Sequence, residues 1–105
     1  MIELRDKSFD GFIAKGTSLI MFGTCWCQAC ILGAKRLEKF RQKNHIKVAK
    51  VDLQMCPEVM KRYLCAKVPF FILFRDGEVI ARHQGNDIRG FEKYLKGGRN
   101  DPDPP

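Results

Sequence analysis

The sequence contains no long hydrophobic run. Its longest apolar stretches, residues 19–23 and 68–74, are far shorter than the roughly 20 residues that a membrane-spanning helix needs. A secretory signal is also missing, because charged side chains stand at positions 3, 5, 6 and 7, ahead of any apolar core of about 7–15 residues. We therefore expect a cytoplasmic protein with no membrane partner.

Acidic side chains are scarce relative to basic ones. The chain has 12 Asp and Glu against 19 Lys and Arg, a net charge of +7 at pH 7, and residues 35–50 alone hold seven basic side chains and one acidic one. This segment matches no nucleic-acid-binding motif, so we predict no nucleic-acid partner. Since the helix dipole favours cations late in a helix, we interpret the segment as a solvated helix face. A preference for acidic protein partners is a hypothesis.

Cysteine is present in an odd number. Five cysteines cannot all pair within one chain, which excludes a fully paired disulfide framework. The 105 residues suffice for one domain that folds without disulfides or metals, and 45% hydrophobic with 30% charged residues excludes global disorder. In a reducing compartment, cysteines are more often catalytic or metal-binding than structural.

Two hydrophobic periods alternate along the chain. Short apolar runs are typical of strands, and apolar residues spaced three and four apart are typical of helices. After a first strand at the N-terminus, the predicted strands cover residues 18–22, 46–51, 70–74 and 79–82, and the predicted helices cover residues 9–13, 28–43, 57–64 and 86–95.

The predicted order of elements is β-α-β-α-β-α-β-β-α. This alternation predicts an α/β fold with a central mixed, mainly parallel sheet flanked by helices. Asp76-Gly77 predicts a hairpin between the last two strands, because these residues adopt positive φ, and Asn86 or Asp87 is expected to cap the last helix. Residues 1–98 form one predicted domain, and residues 99–105, with three prolines, form a predicted disordered tail.

Three of the five cysteines lie in residues 24–30, where a buried strand ends and the long helix begins. The unpaired amides and the dipole of a helix N-terminus stabilise a thiolate, so Cys27 is a candidate nucleophile. Cys30 lies one turn further along the same face, where it can form a disulfide with Cys27 or attack a mixed disulfide formed there. The pair can therefore complete a thiol–disulfide exchange without a cofactor.

A metal site is the alternative interpretation of the same motif. Structural zinc usually needs four ligands, whereas Cys56 and Cys65 form no second C-x-x-C. A C-x-x-C at a strand-to-helix junction is the redox context. Cys25 extends the motif to C-x-C-x-x-C, and three readings stay open for it: a second redox thiol, a metal or iron–sulfur ligand, or a tolerated small residue. Cys56 and Cys65 are most simply small buried hydrophobes.

Taken together, these motifs resemble the thioredoxin family over residues 2–96. Residues 26–30, with the sequence WCQAC, resemble the family's W-C-x-x-C active site. Residues 67–69, with the sequence KVP, and the hairpin that follows resemble its cis-proline loop and the strands after it. Gly85 matches the glycine that precedes the last helix of the family. The resemblance implies the thioredoxin fold and a protein-disulfide oxidoreductase.

The resemblance also implies residue roles. Cys27 would be the nucleophile and Cys30 the resolving cysteine. Pro69 would follow a cis peptide bond, the only linkage where this isomer is inexpensive, and the Val68 backbone would bind an extended peptide substrate, with Gly85 lining the same site. Trp26 would shield the disulfide and offer a flat apolar contact, although a core tryptophan is the alternative.

The implied partners are proteins. Protein disulfides would be the substrates, and a thioredoxin-reductase-like protein or a small thiol would supply electrons to a monomer that needs no cofactor beyond its own redox-active disulfide. Such a protein would serve electron transport and cell redox homeostasis. A metal-binding or iron–sulfur protein and a thioredoxin-fold adaptor are the alternatives.

The sequence departs from the family pattern at the active site. Met21 replaces a buried aspartate that assists deprotonation of the resolving thiol, although Lys50 matches the lysine that accompanies that acid. Gln28 and Ala29 replace the usual Gly-Pro between the cysteines, where residues tune the redox potential. The resemblance therefore does not decide whether the protein acts as a reductant or an oxidant.

Overall fold

The computed structural model describes residues 1–63 and 67–95. Cys65 and the predicted tail, residues 99–105, lie outside these ranges, as does the predicted domain boundary. The strands are β1 (Ile2–Leu4), β2 (Thr17–Gly23), β3 (Lys47–Asp52), β4 (Phe70–Arg75) and β5 (Glu78–Gln84), and the α-helices are α1 (Asp6–Ile13), α2 (Gln28–Asn44) and α3 (Pro57–Tyr63), followed by a 3₁₀ turn at Arg89–Phe91.

The five strands form one mixed sheet in the order β1-β3-β2-β4-β5. β3 pairs in parallel with β1 and β2, whereas β4 pairs antiparallel with β2 and β5. Asp76 and Gly77 have φ values of 51° and 85°, as the predicted hairpin between β4 and β5 requires. The α/β class and the mixed sheet flanked by helices are confirmed.

The sheet separates two hydrophobic clusters. One contains Phe9 and Ile13 of α1 and Val59 of α3. The other contains Leu37 and Phe40 of α2, with Ile88, Phe91 and Leu95 from the segment after β5. Because helices cover both faces, the central strands β2 and β4 are almost entirely buried, which explains their continuous apolar sequences.

The last helix begins differently from the prediction. Ile88, not Asn86 or Asp87, is the N-cap of the 3₁₀ turn Arg89–Phe91, and helical structure continues over residues 92–95. The Asp87 carboxylate accepts the Arg89 amide and also pairs with its guanidinium, whereas the Asn86 side chain bonds to α2. Neither predicted residue is therefore the N-cap. Asn86 is bound to α2, and Asp87 accepts the first amide of the turn from a position one residue before the N-cap.

Within the described ranges, none of the helices has the length and hydrophobicity needed to cross a membrane.

Candidate active site

The ends of β2, β3 and β4 meet at one edge of the sheet. The antiparallel ladder of β2 and β4 places Phe22 opposite Phe70. Gly23, one residue after Phe22, and Pro69, one residue before Phe70, therefore lie at the same edge. The loop that carries the cysteine motif and the loop that carries Pro69 are therefore neighbours. Such an edge, with loops supported by a rigid sheet, is a common position for functional residues.

Cys27 is the N-cap residue of α2. Its φ of −81° and ψ of 114° are extended, and its Sγ accepts the amide N–H of Cys30 at 3.2 Å. The amide and the positive end of the helix dipole both favour negative charge on this sulfur. The side chain is half-buried, so the sulfur is held in place by α2 and is partly open to solvent.

Cys30 lies on the buried face of α2 and is only 3% exposed. Its sulfur packs on the backbone of Gly23 at the end of β2. A Cβ atom added to Gly23 would lie 2.7 Å from Cys30 Sγ and 3.2 Å from Cys30 Cβ, which is closer than packed atoms approach. Glycine at position 23 therefore allows the Cys30 thiol to occupy its position, a role that the sequence interpretation missed.

The loop opposite contains the predicted substrate-binding residues. The Val68–Pro69 peptide bond is cis, Pro69 is buried and Val68 is half-buried. The Pro69 carbonyl accepts the amide N–H of Gly85 at 2.9 Å, and Gly85 has a φ of 106°, a conformation that favours glycine. This hydrogen bond joins the loop before β4, which contains Val68 and Pro69, to the loop after β5, which contains Gly85.

Trp26 is 64% exposed, which excludes a place in the core. Ile31, in the first turns of α2, is also exposed, so apolar surface lies on both sides of Cys27 along the chain. Cys25, Gln28 and Ala29 are exposed as well. The motif residues other than the two candidate exchange cysteines are thus available to a partner molecule.

Asn86 joins the Gly85 loop to the first turn of α2. Its Nδ2 donates to the Ala29 carbonyl at 3.0 Å, and its own carbonyl accepts from Arg36 at 3.0 Å. A Cβ added to Gly33 would lie 2.7 Å from Asn86 Oδ1. The sequence contained a signal for this contact, because a glycine inside a helix is less stable than alanine by about 1 kcal/mol and so indicates a close neighbour.

A cleft of about 380 Å³ lies beside Cys30, and Cys25 also lines it. The charged groups at its walls are Glu3 from β1, Lys50 and Asp52 from β3, and Lys35 from α2. The ladder places Lys50 between Met21 and Glu3. The Arg5 guanidinium, helped by the Lys50 charge, holds the pKa of Glu3 below its usual value.

Cys56 is not suited to the chemistry of this site. It is fully buried, its thiol lies 3.4 Å from the Leu4 carbonyl, and burial raises the pKa of the thiol. A buried, protonated thiol is a poor nucleophile, which agrees with the predicted small core residue. In the described part of the chain, no group of three His, Cys, Asp or Glu side chains is arranged to hold a metal ion.

Comparisons with known proteins agree with this geometry. The Thioredoxin family model matches residues 1–96. The thioredoxin of Chlamydia trachomatis serovar D is 32% identical over 83 residues, which is 78% of this chain and 81% of that protein. The bifunctional thioredoxin reductase/thioredoxin of Mycobacterium leprae is 33% identical over 88 residues, 80% of this chain. The aligned part is only 19% of that protein's length.

Among solved structures, mitochondrial thioredoxin 3 from Saccharomyces cerevisiae, in its oxidized form, superposes with a TM-score of 0.80 at 25% identity. The match covers 91% of this chain and 93% of the yeast chain. The family match, the relatives and the superposition agree with each other in family and fold. The chain belongs to the thioredoxin family and is a protein-disulfide oxidoreductase.

Proposed function

We propose that Cys27 and Cys30 carry out the exchange, with Cys27 as the nucleophile and Cys30 as the resolving thiol. The Cys27 thiolate attacks a protein disulfide, forms a mixed disulfide and releases one substrate thiolate. Cys30 Sγ then attacks Cys27 Sγ, which forms the Cys27–Cys30 disulfide and releases the second substrate sulfur as a thiolate. The substrate gains two electrons and the protein loses two.

The asymmetry of the two sulfurs carries this proposal. Cys27 is partly exposed and its Sγ accepts an amide N–H, whereas Cys30 is buried and so is less accessible to a protein substrate. A nucleophile must be accessible and stabilised as a thiolate. A resolving thiol needs only to reach its neighbour, which lies three residues earlier in the chain. The opposite assignment would send a bulky substrate to the buried sulfur.

The substrate is proposed to bind as an extended segment beside Val68 and Pro69. Main-chain hydrogen bonds of the kind that add a strand to a sheet would align it, Gly85 would allow close approach, and the exposed Trp26 ring would provide an apolar contact. Binding through backbone groups suits an enzyme that accepts disulfides in many proteins, because it does not depend on particular side chains of the substrate.

The electron donor is proposed to be a thioredoxin-reductase-like protein. Support comes from the Mycobacterium leprae relative, whose name combines a thioredoxin reductase with a thioredoxin. A small thiol is the alternative donor. We further propose a monomer that acts in the cytoplasm, where thiols are kept reduced.

Reduction of insulin disulfides with dithiothreitol as donor tests the assignment. We expect Cys27→Ser to fall to the rate of dithiothreitol alone and Cys30→Ser to lose catalytic turnover. Cys56→Ala is the matched control. It removes a buried thiol that has no proposed part in the exchange, so it should keep wild-type activity. Full activity in Cys27→Ser would refute the proposal.

The same assay on Cys25→Ser, together with a measurement of its reduction potential, decides between two of the readings of Cys25. An unchanged rate and an unchanged reduction potential in Cys25→Ser would identify it as a tolerated small residue, whereas a shifted potential would identify a third redox thiol.

A further inference from the structure

We propose that the Asp52 carboxylate accepts the proton of the Cys30 thiol, through water in the shared cleft, when Cys30 resolves the mixed disulfide. This inference rests on the proposed roles of Cys27 and Cys30 and adds the group that makes the second step fast. It assigns a function to a carboxylate at the end of β3 that none of the sequence motifs included.

The backbone register places Asp52 beside the Cys30 sulfur. Cys30 Sγ lies where the side chain of Gly23 would point, and Gly23 pairs in register with Asp52 across the parallel β2–β3 ladder. Paired residues on neighbouring strands point to the same face, and the strands are about 4.8 Å apart. The Cβ atom of Asp52 is therefore about one strand spacing from the position above Gly23 that the thiol occupies, and the carboxyl group extends from it on the same face of the sheet.

Contacts fix the carboxylate at this position. Asp52 Oδ1 accepts the amide N–H of Gln54 at 3.0 Å, and a carboxylate retains acceptor capacity on its other oxygen. The residue is half-buried, so a proton that it takes from Cys30 can pass on to solvent. Asp52 and Cys30 line the same cleft of about 380 Å³, and one water molecule takes up about 30 Å³ in the liquid.

The other charged groups around the cleft are less suited to this task. Glu3 is the second acid that lines the cleft, but its carboxylate is bound to the Arg5 guanidinium at 2.8 Å. Glu3 also lies one strand further away, because β3 separates β1 from β2. The lysine side chains that line the cleft carry donors and no acceptor. The titratable groups that line the cleft besides Asp52 are Glu3, Cys25, Cys30, Lys35 and Lys50, and Asp52 also interacts electrostatically with Arg5 and Cys56.

The chemistry of the second step requires such a group. A thiol as buried as Cys30 ionises reluctantly, because burial disfavours the charged form. If Asp52 takes the proton, Cys30 Sγ can attack Cys27 Sγ as a thiolate, the Cys27–Cys30 bond forms, and the bond between Cys27 and the substrate sulfur breaks. The substrate leaves as a thiolate, and no oxidant or reductant beyond the substrate disulfide is needed.

Reaction with dithiobis(nitrobenzoate) separates the two steps, since each step releases one coloured nitrothiobenzoate anion. The first release reports attack by Cys27 and the second reports attack by Cys30. A Cys25→Ser, Cys65→Ser background removes two other thiols. Stopped-flow absorbance follows both phases from about pH 5 to pH 10, a range that spans the ionisation of an ordinary thiol.

We expect Asp52→Asn to slow the second phase about tenfold near pH 7, a modest loss for a general base, and to leave the first phase unchanged. Asparagine retains an oxygen for the Gln54 amide. The second-phase rate of the variant should rise with pH and approach the wild-type rate once Cys30 ionises unaided. Asp52→Glu should restore part of the rate and the wild-type profile, which a purely structural role of Asp52 would not produce.

Glu3→Gln is the matched control, because it removes the other carboxylate of the cleft. Its two phases should match the wild type within about twofold, and a slow second phase in Glu3→Gln with a normal one in Asp52→Asn would overturn the proposal. An identical second-phase pH profile in Asp52→Asn and wild type would also overturn it. Absence of the first phase from Cys27 would instead contradict the proposed function.

Should Asp52→Asn fail to fold, Asp52→Ser gives the same test, because serine lacks the carboxylate and still offers an oxygen to the Gln54 amide. We expect the same slow second phase near pH 7. A second-phase pH profile identical to that of the wild type would refute the proposed role of Asp52.

Discussion

At the scale of single residues, Gly23 determines where the resolving thiol lies. Cys30 can rest on the sheet only because position 23 has no Cβ atom. The same absence lets the sulfur lie over Gly23, which pairs with Asp52 across the β2–β3 ladder, in the wall of the cleft. One glycine therefore positions Cys30 both for attack on Cys27 and for the proposed loss of its proton.

We expect Gly23→Ala to destabilise the protein by about 1–3 kcal/mol, the usual range for overpacking of a buried site, and to slow the second phase of the nitrothiobenzoate reaction. Urea unfolding gives the free energy of unfolding. Gly11→Ala is the matched control, because Gly11 lies in α1 with open space around it and alanine should stabilise that helix by up to about 1 kcal/mol. Equal stability changes of the same sign in both variants would contradict the steric account.

At the scale of elements, the start of α2 is fastened to the Gly85 loop. Asn86 bonds to the Ala29 carbonyl, and the side chain fits over Gly33. The Gly85 amide in turn bonds to the Pro69 carbonyl. The helix with both exchange cysteines is thus connected through Asn86 and Gly85 to the loop that would bind the substrate.

A double-mutant cycle tests this connection. Asn86→Ala should cost about 1 kcal/mol for the lost hydrogen bond. Gly33→Ala should cost more in the wild type than in the Asn86→Ala background, since removal of the carboxamide leaves room for the new methyl group. Urea unfolding of the four proteins gives the coupling energy, expected to be about 0.5–3 kcal/mol for residues in contact. Strict additivity would show that the two side chains do not share this space.

The elements themselves could be predicted from the sequence because their apolar patterns are strong. β2 and β4 are continuous apolar runs that exceed the predicted bounds by one or two residues, and α2 ends at Asn44, one residue beyond its prediction. The role of Asn86 could not be predicted, because its partner is 57 residues away in the chain. Local propensity contains no information about such a partner.

At the scale of the whole molecule, the fold brings together parts that the sequence keeps far apart. Residues 24–30, residues 67–69 and Gly85 could be predicted as candidate site segments from their motifs. Their contact with one another follows from the strand register, and the cleft with Asp52 and Glu3 follows from the crossover order of β1, β3 and β2. Neither could be derived from spacing along the chain.

The proposed chemistry depends on different roles for the two cysteines. The partly exposed Cys27 attacks the substrate disulfide, and the buried Cys30 then displaces the substrate from Cys27. Mass spectrometry of the mixed disulfide that the Cys30→Ser variant forms with insulin tests this claim directly. The variant is incubated with insulin, remaining thiols are alkylated, and the peptide joined to the substrate sulfur is identified. We predict that the substrate is attached through Cys27. Attachment through Cys25, or a substrate bound at position 30 in a Cys27→Ser variant at a comparable rate, would contradict the account.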